Sequence, residues 1–180
     1  MKITIIAVGK LKEKFWKQAL EEYLKRLQSY ADVHVCEIPD RDPAHFGDAK
    51  TLELEGEDII AALPQRAHVV LLDIDGTLHS SEDIAATLPE RAYIVLLDID
   101  GTLHSSEEIA DFLSVRMNEG ASHIVFIIGG SLGVSQTVRK RAQTRMSLGR
   151  ITLPHNLARV VLAEQIYRSF RIIRGEPYHK

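Results

Sequence analysis

Apolar residues follow two rhythms along this chain. Ile3-Thr4-Ile5-Ile6-Ala7-Val8 is a β-branched run stopped by Gly9, which predicts a buried first strand. From Lys12 to Gln28 the rhythm lengthens: Trp16, Ala19, Leu20, Tyr23, Leu24 and Leu27 recur at three- and four-residue steps, with Lys17, Glu21, Glu22, Lys25 and Arg26 opposite. That spacing predicts an amphipathic helix whose aromatic stripe serves the core or a subunit contact. Val33 to Ile38 return to strand character and end at Pro39-Asp40. Arg41 to Ala49, holding Pro43 and Gly47, read as a polar loop, and Leu52 to Leu63 as a helix stopped at Pro64.

A repeat follows. Leu63 to Ala85 recurs as Leu88 to Ala110, twenty-five residues later, with differences only at Gln65/Glu90, His68/Tyr93, Val69/Ile94 and Asp83/Glu108. The units run 63–87 and 88–112, and each holds a strand, a glycine turn and a helix start. Two copies are too few for a solenoid, so this is a local duplication. In the second copy Ser105 or Ser106 can cap a helix running from Ser106 to Asn118 and ended by Gly120; the first copy is cut short at Pro89. Gly76 to Arg91 is just long enough to return the chain as an additional strand; otherwise one copy lies outside the sheet as an insertion.

The last third begins with a second buried-strand run, Ile124 to Ile128, delivered onto Gly129-Gly130. A strand ending in paired glycines lets backbone approach a ligand at the carboxyl edge of a sheet. A basic segment with Arg139, Lys140, Arg141 and Arg145 comes next, then Ile151-Thr152-Leu153-Pro154-His155 and a helix from Asn156 to Ile173. This helix offers Leu157, Val160, Val161, Tyr167 and Phe170 for burial, and Arg159, Arg168, Arg171 and Arg174 for charge. Charge sharpens the picture. Residues 121–180 hold ten Lys and Arg against two Asp and Glu, a balance of +8, whereas residues 1–120 hold twelve against twenty-three, a balance of −11. A positive field on the glycine-rich edge suits a polyanion.

With 180 residues and 45% apolar content, a single α/β domain over 1–180 is expected. The one cysteine, Cys36, sits in a strand pattern without a disulfide or metal partner, which fits a structural thiol in a reducing compartment. No apolar run reaches the length of a membrane span and the amino terminus has no signal-peptide pattern, so a cytoplasmic protein free of membrane is expected.

Two families share motifs with the chain. Val70-Leu71-Leu72-Asp73-Ile74-Asp75-Gly76-Thr77-Leu78 and its copy ending at Leu103 resemble the first motif of haloacid dehalogenase-like phosphatases, whose paired carboxylates serve nucleophile, acid and Mg²⁺. That family also needs a downstream acidic pair, and after Asp111 the only acids are Glu119, Glu164 and Glu176. A second likeness runs from end to end: Met1-Lys2-Ile3 to Lys10, Glu22 to Leu27, Glu37-Ile38-Pro39, Glu55-Gly56-Glu57, Leu72 to Gly76, Ile127 to Gly130, Ser147-Leu148 to His155, Arg159 to Arg168, and Pro177-Tyr178-His179. In these features the chain resembles the RlmH (YbeA-like) family, small knotted methyltransferases of the SPOUT class.

The resemblance implies an α/β knot: a mostly parallel sheet flanked by helices with a C-terminal trefoil knot, here carrying one extra βα unit. It implies a homodimer that uses S-adenosylmethionine to methylate N3 of a pseudouridine in the 23S rRNA of the assembled bacterial ribosome, without a metal. Carried over by position, cofactor contacts fall on a strand-end leucine, Leu97 in the copy that runs unbroken into the following helix and strand, with Leu72 as the alternative, and on Gly129, Leu148, Gly149, Arg150, Ile151, Thr152 and Leu153. His155, Tyr178 and His179 fall near the acceptor. Each has a plainer reading, His155 as a cap for the helix behind it and Tyr178 as a stacking residue. In a dimer the last helix can pack its apolar residues on its twin and hold rRNA phosphates with its arginines. The alternative is a duplicated, possibly engineered, knotted scaffold that folds and dimerises without activity.

Overall fold

The computed structural model describes residues 1–63, 68–72, 94–149 and 151–178. Six strands form one sheet: β1 (Lys2–Val8), β2 (Asp32–Ile38), β3 (His68–Leu72), β4 (Ile94–Leu103), β5 (His123–Ile128) and β6 (Thr144–Ser147). The spatial order is β2-β1-β5-β3-β6-β4, with a further pairing between β5 and β4, and every ladder between these strands is parallel. Both copies of the repeat supply a strand that pairs with β5 and β6.

The helices are α1 (Lys14–Leu27), α2 (Pro43–Phe46), α3 (Asp48–Ala62), α4 (Ser106–Asn118), α5 (Gln136–Arg141) and α6 (His155–Ile173). They cover both faces, which is why β1 and β5 are almost uninterruptedly apolar. The pleat divides each strand between two cores. Ile3, Ile5 and Ala7 of β1, with Ile124, Phe126 and Ile128 of β5, join Leu27 of α1, Ile109 and Leu113 of α4, and Leu162, Ile166, Tyr167 and Phe170 of α6. Ile6 and Val8, with Val125 and Ile127, face Ile59 of α3 and Val138 of α5.

The polar loop expected over Arg41 to Ala49 is instead mostly helical. Asp42 Oδ1 accepts a hydrogen bond from Ala44 N (2.9 Å) and Pro43 occupies the first helical turn, so α2 forms. Gly47, at φ +76°, breaks the direction, and α3 starts at Asp48 rather than Leu52. The second-copy helix begins as expected with a reciprocal cap: Glu108 N donates to Ser105 Oγ (3.1 Å) and Ser105 N to Glu108 Oε2 (2.6 Å). Cys36 is half-buried on β2, beside the α3 and α5 core. The expectations for the first-copy helix and for Asp73, Asp75, Arg150 and His179 lie outside the described residues.

Candidate active site

Because the strands are parallel, their carboxyl ends converge on one edge, where irregular backbone collects. β1 delivers Gly9, whose φ of +85° requires glycine. β5 delivers Gly129 and Gly130. Here Gly130 N donates to Gly133 O (3.2 Å) and Gly133 N to Gly130 O (3.1 Å), closing a tight turn. A Cβ on Gly129 would stand 2.7 Å from the Gly133 carbonyl oxygen, so the first glycine is needed for the turn itself. A Cβ on Gly130 would meet Glu55 Oε2 at 2.8 Å. Glu55 is 5% exposed, and its carboxylate accepts the Arg41 backbone N–H at 2.8 Å; burial nevertheless pushes its pKa above the ordinary range.

β6 delivers the loop Ser147-Leu148-Gly149. The buried Ser147 hydroxyl donates to Gly149 O (2.9 Å) and accepts from Gly149 N (3.3 Å), which curls the chain tightly, with Gly149 at φ +149°. Leu148 and Leu153 lean on the α6-side core, while Thr152 is exposed and Ile151 is 69% exposed. An apolar side chain held out over a curled glycine loop is a surface on which a flat heterocycle can rest.

α6 closes this edge. Its first residue is His155, with Pro154 at the N-cap position and no side-chain cap bond, so His155 does not cap the helix as the plainer sequence reading had it. The ring turns toward β1: a Cβ on Gly9 would come within 3.3 Å of His155 Nε2. Burial, then the charge of Arg159, lowers the imidazole pKa, against the weaker upward pull of Asp40 and Glu13. The ring is therefore neutral near pH 7 and able to accept a proton.

Beneath His155 lies the residue that sequence reasoning misplaced. Arg159 belongs to the arginines expected to hold phosphates, yet its side chain is fully buried. Its Nη2 donates to Val8 O (2.6 Å) and Gly9 O (2.7 Å), and its Nη1 to Glu37 Oε1 (3.2 Å). Glu37 also accepts the Leu11 N–H (2.8 Å). The guanidinium thus stitches the end of β1, the end of β2 and the start of α6 together, and is spent on that task. A buried guanidinium and buried strand carbonyls are separate costs; their pairing offsets most of both, with Arg159 Nε left without a partner among the described residues.

A sequence model described as "Predicted SPOUT methyltransferase" matches residues 1–92 and 82–179, two overlapping stretches that together cover nearly all of the chain. The chain belongs to the SPOUT methyltransferase family. Among relatives of this SPOUT protein, a ribosomal RNA large subunit methyltransferase H from Listeria monocytogenes serotype 4b (strain CLIP80459) is 46% identical over 184 aligned residues, with all of both chains covered. Proteins of the same name from Bacillus cytotoxicus and Bacillus pumilus are 45% and 42% identical, again over the full length of both. A probable methylase family protein of solved structure, from Haemophilus influenzae Rd KW20, aligns at a TM-score of 0.46 and 11% identity, covering 99% of this chain and 70% of that one. Full-length membership makes the chain a methyltransferase and does not favour either the phosphatase or the inactive-scaffold alternative. The second Asp-Ile-Asp-Gly string, Asp98 to Gly101, lies within β4 of this SPOUT sheet.

Within one SPOUT chain, Tyr178 is not brought to His155. Its hydroxyl donates to Glu164 Oε1 (3.1 Å), its ring stands edge-on to Tyr167 at 5.2 Å, and the Arg168 guanidinium lies over it at 4.5 Å. Glu164 is nine residues along α6 from His155, about 14 Å at helical rise. Burial and the Glu164 charge raise the phenol pKa to about 12, so Tyr178 is a neutral donor. The other arginines of α6 are also engaged: Arg168 with Glu164 (2.5 Å), Arg171 with Glu176 (3.0 Å), and Arg174 over the Tyr30 ring (4.3 Å). Leu157, Val160 and Val161 stay half-exposed on the same helix, whereas Tyr167 and Phe170 enter the core. Among the described residues, no helix is long and apolar enough to cross a membrane.

Proposed function

We propose that this protein methylates N3 of a pseudouridine in the 23S rRNA of the assembled ribosome, with S-adenosylmethionine as donor, as a cytoplasmic homodimer built from a single domain over residues 1–180. The observation that carries the reading is the convergence of the Gly129-Gly130 turn, the Ser147–Gly149 loop and His155 on one carboxyl edge. It stands in a chain alike over its full length to proteins named for large-subunit rRNA methylation. The trefoil knot implied by the resemblance belongs to the same reading.

Leu97, which lies within β4 and not at its end as expected, Gly129, and Leu148 to Leu153 with Gly149, Arg150, Ile151 and Thr152 between would hold the donor. The fit rests on backbone freed by glycine at Gly149 and on the outward Ile151. The bound donor supplies a methyl group on a positively charged sulfur. The chain's own task is to align the acceptor and to remove the proton from its weakly acidic N3. His155 Nε2, neutral because burial and Arg159 lower its pKa, is the group suited to accept that proton. Arg159 acts through position, fixing the Val8-Gly9 backbone against which the imidazole rests. Tyr178 and His179, arriving by the C-terminal tail, serve the acceptor side of a dimer, Tyr178 as a neutral stacking and donating surface. The balance of +8 in residues 121–180 draws the polyanion to this edge.

The test uses ribosomes from a bacterium lacking this methyl group, incubated with the protein and S-adenosylmethionine, followed by mass spectrometry of the rRNA nucleosides. One added methyl on pseudouridine, dependent on the donor and reduced by His155→Gln, supports the reading. Ribosomes that remain unmodified at saturating donor overturn it.

A further inference from the structure

The edge of β5 that faces away from β1 is claimed twice. β3 places Val69, Val70 and Leu71 opposite Val125, Phe126 and Ile127, and β4 places Ile94, Val95 and Leu96 opposite the same three residues. The coincidence recurs on β6, where Leu71 and Leu96 both pair with Arg145. These positions are twenty-five residues apart, so they are equivalent members of the duplicated unit. β1 occupies the other edge of β5 from His123 to Ile128. One strand edge presents a single row of N–H and C=O groups, and neighbouring strands need about 4.8 Å each. Two strands cannot hold the same register on it together.

We propose that the two copies are alternative occupants of one slot between β5 and β6, and that whichever copy is in place completes the same donor-binding wall, through Leu72 or through its equivalent Leu97. The second half of this inference rests on the donor site proposed above. Over the three residues by which both occupants pair with Val125, Phe126 and Ile127, the copies differ only at Val69/Ile94, a single methylene, so along this shared stretch neither has a decisive packing advantage. The family match divides in the same way. Its first stretch, 1–92, contains the whole of unit 63–87, and its second, 82–179, contains the whole of unit 88–112. Each copy thus completes the family pattern with its own side of the chain. Duplication here leaves the pocket wall unshifted, because the surplus strand is displaced from the slot and becomes a linker.

Proline discriminates between the copies, since it removes the ladder N–H of whichever strand carries it and is not tolerated in a central strand. Val70→Pro, Val95→Pro and the double variant are compared with the parent by thermal unfolding and by titration with S-adenosylmethionine. Removing one of two near-equal occupants halves the native ensemble, so each single variant melts within about 2 °C of the parent, and the double variant falls by more than about 10 °C or loses its cooperative transition. One single variant collapsing while the other matches the parent would mean that one copy owns the slot. Both singles collapsing would mean that both strands are needed at once, and a double variant like the parent would mean that neither fills the slot; each of these overturns the proposal. Melting decides the slot whether or not the donor binds. If the parent binds donor, both single variants bind within about fivefold of it, and a folded single variant that does not bind overturns the equivalence of the two walls. If the melting pattern holds and the parent binds nothing, the functional reading fails while the shared slot stands.

Discussion

The two ends of α6 carry the same residue type to opposite ends of the solvent scale. At its start, Arg159 is wholly enclosed and bonded to Val8 O, Gly9 O and Glu37. At its end, Arg168, Arg171 and Arg174 lie near the surface against aromatic rings and acids of the C-terminal tail. In the first case the guanidinium is a structural rivet that holds the carboxyl edge of the sheet; in the second the arginines lay out a charged, aromatic-backed surface that arranges the tail. A count of positive residues merges the two, although only the second group can meet a polyanion.

The largest effect that would break this contrast comes from Arg159→Met. It leaves Glu37 and two strand carbonyls without their donor, and urea unfolding should register a loss of about 3–5 kcal/mol. A loss near that of an exposed arginine would place Arg159 with its neighbours on the surface. Gly9→Ala comes next, because it forces a side chain into φ +85° and to within 3.3 Å of His155 Nε2. A cost of about 1–2 kcal/mol is expected, with methyl transfer falling further than stability alone explains. At the other end of the helix, Tyr178→Phe removes the hydrogen bond to Glu164 but keeps the edge-on contact with Tyr167, so stability should drop by only about 1 kcal/mol. The smallest effect is a slope with pH. His155 has a lowered pKa when folded, so the unfolded chain takes up its proton first, and the stability this contributes is full above about pH 6.5 and is lost as the pH falls below it. The difference in stability between the parent and His155→Gln should therefore be flat above that point and shrink beneath it.

Local patterns made much of this molecule legible. β1 and β5 announce themselves as unbroken apolar runs because both faces of the sheet are covered, and α4 through a serine and an acid three residues apart. The start of α3 was hidden for a physical reason: Thr51 and Glu55 occupy its buried face, so the apolar rhythm begins a turn late. Arg159 was hidden because what buries it, the end of β1, lies about 150 residues away in sequence. Gly129 was visible as a special position, but its first duty is the contact with the Gly133 carbonyl, a turn closed four residues on. Of the candidate site, the glycines, the loop after β6 and His155 were readable as a set from the family resemblance. The Glu37–Arg159 link that steadies them was not, since each residue alone looks like ordinary surface charge.

The central claim, that the carboxyl edge of this sheet is a donor-binding site, is tested most directly by calorimetric titration of the purified protein with S-adenosylmethionine, alongside Gly149→Val. The account predicts saturable binding at one site per chain, and its loss in the variant, because valine does not adopt φ +149° and the loop beneath Ile151 would open. A folded parent protein that shows no saturable binding would contradict it.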